Sequence, residues 1–134
     1  MNLIDDRDCA QAKMGDRFHL AEIAAACVNS AALGAPVWLK MDALQPCGSF
    51  KARGMGVAAL AAVRAGAGRL VCASGGNAGL AVAYAGRQLG VPATIVVPTT
   101  TSEWAKDLIR QEGATVLVHG SAWDESYQVA SELA

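Results

Sequence analysis

Two stretches of this chain bring together residue types that can do chemistry. The first is Gln45-Pro-Cys-Gly-Ser-Phe-Lys-Ala-Arg-Gly54, with Lys51 at its centre. Pro46 and Gly48 punctuate a turn, and the spacing makes Ser49 the N-cap of a following helix, its hydroxyl accepting an orphan backbone N–H. Lys51 then stands at the second helical position, where the helix end already carries about half a positive charge. That end disfavours the ammonium and favours the neutral amine, which is a nucleophile. The plainer alternative is an exposed lysine whose long stem returns the ammonium to water.

The second stretch, Ser74-Gly-Gly-Asn-Ala-Gly79, follows an apolar segment and opens a helix. Adjacent glycines let a ligand come close to the backbone, and a fresh helix N-terminus offers N–H groups to an anion. Ser74 adds a hydroxyl, and Asn77 can both donate and accept. A carboxylate or phosphate suits such a loop. The alternative is a tight strand-to-helix turn in which Asn77 caps the helix. Neither G-x-G-x-x-G nor G-x-x-x-x-G-K-[ST] is present, so dinucleotide and nucleoside-triphosphate readings lack their fingerprints.

The elements that must position these stretches alternate in type. Strands are expected at 37–42, 69–73, 93–97 and 114–118, and helices at 49–65, 77–89, 102–112 and from about 122. The strands are short and apolar on consecutive residues, as when both faces of a sheet are covered. Glycines at 66, 68, 90 and 113 sit where helices end. Such alternation implies right-handed crossovers and an α/β fold, an open parallel four-stranded sheet with helices on both faces. Before it, apolar residues from Leu20 to Ala31 fall on one helical face, predicting a helix over 19–32. The expected division is a lead-in with one helix over 1–33 and an α/β domain over 34–134 that carries both motifs. His19 reads as an ordinary helix-start residue. Trp104 and Trp123, near helix starts, are expected on a surface that further sequence would bury. The last helix stops without a cap, which reads as a truncation.

Composition narrows the function classes. With 53% hydrophobic and 17% charged residues among 134, the chain can build a core. A formal net charge of −1 gives no electrostatic reason to expect nucleic acid or an anionic membrane as partner. The cysteines at 9, 27, 47 and 72 form no C-x-x-C pair and no zinc spacing, so no metal site is expected. Free thiols predict a reducing, cytoplasmic setting. The acidic start is no secretory signal, and no apolar run is long enough to span a bilayer.

Taken together, Leu39-Lys-Met-Asp-Ala-Leu-Gln-Pro-Cys-Gly-Ser-Phe-Lys-Ala-Arg-Gly54, the segment from Ser74 to Pro98 and Glu112-Gly-Ala-Thr-Val116 resemble the N-terminal part of the serine/threonine dehydratases. These are pyridoxal-phosphate enzymes of the tryptophan-synthase β-like fold. The pairing of G-S-F-K-x-R-G with S-x-G-N-x-G carries the resemblance, which covers about 33–134. It implies that Lys51 forms the Schiff base with pyridoxal 5'-phosphate, that Phe50 packs on the cofactor ring and that Asn77 hydrogen-bonds its 3-hydroxyl. Ser74, Gly75, Gly76, Asn77 and Ala78 would hold the substrate carboxylate. The implied reaction is dehydration and deamination of L-serine to pyruvate, or of L-threonine to 2-oxobutyrate, with release of ammonia. Lys51 would remove the α-proton while the ring takes up the charge.

The resemblance also implies a homodimer in the complete form and places the present region in the smaller domain. The family's T-P-L entry motif is absent before residue 30. Its phosphate-cradling glycine loop and pyridine-nitrogen partner are expected beyond residue 134. Two other readings stay open: a shortened, non-catalytic binding module, and another enzyme of the same fold such as a cysteine or threonine synthase.

Overall fold

The computed structural model describes residues 25–30 and 34–134. The element order is β1 (Ala25–Ser30), β2 (Ala35–Lys40), a 3₁₀ turn (Asp42–Leu44), α1 (Lys51–Arg64), β3 (Leu70–Ala73), α2 (Asn77–Leu89), β4 (Ala93–Val97), α3 (Glu103–Gln111), β5 (Thr115–Val118) and α4 (Trp123–Leu133).

Strands β3, β4 and β5 form a parallel sheet in that order. Their period of two assigns the side chains to two cores. Leu70 and Cys72 of β3, with Ile95 and Val97 of β4, join the core shared with α1, α2 and Ile109 of α3. Val71, Ala73 and Val96 point the other way and pack with Ala130 of α4. All seven are buried, which is why β3 reads as an unbroken apolar run and β4 as one interrupted only by Thr94. The edge strand β5 differs: its Leu117 and Val118 are exposed.

Two expectations are corrected at the start of the fold. Residues 25–30 are not helical. They pair antiparallel with β2, from Ala25 opposite Lys40 to Ser30 opposite Ala35. A run of six half-apolar residues satisfies a helical stripe and a strand equally, and long-range pairing decides between them. Gly34 has φ 63°, the left-handed conformation that a tight reversal favours. The strand expected at 37–42 is therefore β2, in a separate hairpin. The parallel sheet has three strands among the described residues rather than four. His19 and the remainder of the expected 19–32 helix lie outside the described residues.

The other elements start and stop for local reasons. Ser102 caps α3 by accepting the Ala105 N–H at 3.3 Å. Gly90, with φ 70°, closes α2 in the left-handed conformation. No described helix is long and apolar enough to cross a membrane.

Candidate active site

The turn before α1 departs from its expected capping. Lys51 is the first residue of α1, preceded by Phe50 in helical conformation with no side-chain cap. The Ser49 carbonyl, not its hydroxyl, receives the Ala52 N–H at 3.3 Å. Ser49 is buried, and its Oγ has no hydrogen-bond partner among the described residues. Burial pushes the Cys47 thiol above its ordinary 9.0, and its polar neighbour Ser49 offsets part of that rise. Lys51 is half-buried, and its Nζ lies 5.6 Å from the centroid of the exposed Phe50 ring.

The second motif sits at the carboxyl end of β3. Gly76 is the cap of α2 and Asn77 its first residue, so the alternative with Asn77 as cap does not hold. The Gly76 N–H donates to Ser74 Oγ at 3.3 Å. Two glycines here are sterically required. A Cβ on Gly79 would stand 1.9 Å from the Ser74 carbonyl oxygen, and one on Gly75 would stand 2.5 Å from Thr101 Oγ1. Gly76 and Asn77 are exposed, and the space beside Gly76 is open except for Ser74 Oγ at 4.0 Å.

The two turns meet. A cleft of about 420 Å³ is lined by Pro46, Cys47 and Gly48 from the first and by Gly75, Gly76 and Asn77 from the second. Its remaining wall is α3, chiefly Trp104, Leu108 and Ile109, with Leu80 of α2. Phe50, Lys51, Ser74 and Ala78 adjoin these turns without lining the cleft. The α3 wall carries no motif. Its signal was amphipathic spacing in a helix after a central strand, where such sheets gather ligands at strand carboxyl ends. Trp104 stands exposed at the rim. Among the described residues, no group of histidine, cysteine or acidic side chains could hold a metal.

The cleft suits an anionic, flat ligand, with open N–H groups at the start of α2 and an apolar wall, and the adjoining turn carries an amine beside an aromatic ring. Residues 23–134 match the family model described as pyridoxal-phosphate dependent enzyme. The chain belongs to that family. Within the pyridoxal-phosphate dependent enzymes it is 52% identical over 101 residues to the human L-serine dehydratase/L-threonine deaminase. It is 50% identical over 105 residues to the L-serine dehydratase of Dictyostelium discoideum. Each alignment covers 75% of this chain but only 31% and 30% of the relative, so the chain spans about a third of their length. The crystal structure of a fungal L-serine ammonia-lyase from Rhizomucor miehei superposes with a TM-score of 0.71 at 38% identity. That match covers 83% of this chain and 37% of the other. The α/β class with a parallel sheet is thus the family's fold, as expected.

Proposed function

We propose that this chain is the Schiff-base-lysine portion of an L-serine or L-threonine dehydratase. The observation that carries the reading is that Pro46–Gly48, the turn leading to Lys51, and the Gly75–Asn77 loop wall one cleft. The family and the names of its relatives support the same reaction class.

Lys51, on the turn adjoining the cleft, is the amine that would hold the cofactor's aldehyde carbon, with the exposed Phe50 ring beside it and Asn77 in the cleft lining. The site fits the group on two counts. Nothing but Ser74 Oγ approaches the empty side of Gly76, and no side chain caps the first N–H groups of α2. When bound, the pyridoxal ring supplies a sink for the electron pair left as an α-proton departs.

The chain's own residues do the rest. The N–H groups at Gly76, Asn77 and Ala78, with the Ser74 hydroxyl, bind and orient an amino acid's carboxylate. The Lys51 amine would take the α-proton at Nζ. Leu80, Leu108, Ile109 and Trp104 exclude water from one side of the cleft. Departure of the β-hydroxyl with a proton, as water, would leave an enamine, and its hydrolysis by one water after release gives the oxo acid and ammonia. The cysteine spacing and the free thiol of Cys47 support the proposed cytoplasmic setting.

The test is borohydride reduction in the presence of pyridoxal 5'-phosphate, followed by peptide mass analysis. Label is expected on Lys51 in preference to Lys13, Lys40 and Lys106, and absent from that position in Lys51→Ala. An even spread over the four lysines would overturn the proposal.

A further inference from the structure

Trp123 opens α4, on the face of the sheet opposite α1 and α2. Its indole Nε1 donates to the Ala73 carbonyl at 2.7 Å, across 50 residues of sequence. Ala73 is the last residue of β3. Its carbonyl belongs to the same planar peptide as the Ser74 N–H, so holding that oxygen fixes the plane from which the Ser74–Gly79 loop departs.

The donor is itself held in place. The Trp123 ring lies 4.9 Å from that of Tyr127, tilted by 32°, and Tyr127 packs on the Val71, Ala73, Val96 and Ala130 cluster. Ser126, fully buried, donates its hydroxyl proton to the His119 carbonyl at 2.8 Å. Glu125 accepts from the Ser121 and Ala122 N–H groups. The start of α4 is therefore pinned to the loop that follows β5. That loop in turn binds the one after β4, through Thr99 N–H to the Gly120 carbonyl at 2.8 Å. The β4 loop supplies Thr101, which fills the space against Gly75. The glycine loop is thus gripped at Ala73 by Trp123 and at Gly75 by Thr101, and both grips lead to one platform.

We propose that Trp123 is a positioning residue for the Ser74–Gly79 loop, aiming its N–H groups from the far face of the sheet. The inference rests on the reading of that loop as the carboxylate site. Trp123 is 53% exposed, so its ring is not needed to fill the core.

Trp123→Phe keeps the stacked ring and removes the donor. Amide hydrogen exchange is expected to accelerate about three- to tenfold at Gly75, Gly76 and Asn77, the range of one hydrogen bond. The amides of Tyr127 and Ala130 should keep their rates. Unchanged loop exchange, or equal acceleration throughout, would overturn the proposal. In the unsubstituted chain, the Trp123 indole proton should exchange more slowly than that of exposed Trp104; equal rates would also overturn it. A titration with L-serine separates the two readings. If the Gly75–Asn77 amides do not shift, the carboxylate site fails, while exchange still decides the positioning role. If they shift, Trp123→Phe should weaken the apparent affinity about three- to tenfold; unchanged affinity would count against positioning.

Discussion

Arg53 Nε donates to Asp42 Oδ1 at 3.0 Å, closing a loop of chain that has Lys51 two residues before its far end. Buried Gln45 donates to the same oxygen at 3.4 Å. The pair therefore ties the 3₁₀ turn to the first turn of α1 and sets how the amine-bearing turn enters the helix. Both side chains are 27% exposed, so the coupling is screened and expected at about 0.2–1 kcal/mol. A double-mutant cycle of Asp42→Asn and Arg53→Ala, read by urea unfolding, checks it. Both single variants should also slow borohydride-trapped labelling of Lys51. Strict additivity together with unchanged labelling would show that the pair does not act as a clamp.

The glycine loop predicts a graded steric series. Gly79→Ala drives a methyl into the Ser74 carbonyl, which is backbone and can yield only by moving the loop. Its cost is expected at the upper end of about 1–3 kcal/mol, measured as a fall in unfolding free energy. Gly75→Ala meets the Thr101 side chain instead. Removing Thr101 Oγ1 and Cγ2 in Gly75→Ala/Thr101→Ala should recover most of the loss, whereas Gly79→Ala has no comparable rescue. If Thr101→Ala does not rescue Gly75→Ala, the close packing of the two carboxyl-end loops is misread.

The parts of this fold that could be read from residues alone are those where local and long-range preferences agree. Strand β4 was expected at 93–97 and α2 at 77–89, and both are found there, because apolar runs and glycine stops coincide. The meeting of the two motif turns follows from parallel topology, which brings strand carboxyl ends together. Residues 25–30 were misread because a short apolar run has no unique period, and only pairing with β2 makes them a strand. Ser49 was taken for a cap because its type suits one, yet it lies buried beside Cys47. The tie from Trp123 to Ala73 carries no sequence signal, since a backbone oxygen 50 residues away is not a motif.

Cys47 lines the cleft, yet its thiol should be a poor nucleophile. Only 6% of the residue is exposed, and burial raises the thiol above its ordinary 9.0. Little thiolate is therefore present at neutral pH, and the thiolate is the form that reacts. Alkylation by iodoacetamide at pH 7.5, followed by peptide mass, should be slower by about tenfold or more in the folded chain than in urea. Similar rates in the two states would mean that the turn before Lys51 opens freely.

Acid should loosen the start of α4 through Glu125. Its carboxylate accepts from the Ser121 N–H, the Ala122 N–H and the Ser121 hydroxyl, and these bonds hold its carboxyl below the ordinary 4.5. Ala122 has no side-chain acceptor to reciprocate, so this is one half of a capping box. A group whose folded value is depressed contributes stability that is fully present above the unfolded value and lost as pH falls through the folded one. Melting temperature should therefore decline as pH drops below about 4.5, and Glu125→Gln should remove part of that decline while lowering stability at pH 7. Because the cap fixes the helix that carries Trp123, the same acid range should speed amide exchange at Gly75–Asn77 in the unsubstituted chain, after correction for intrinsic rates. Exchange at the loop that does not respond to pH, alongside a measured loss of the cap, would separate α4 from the glycine loop.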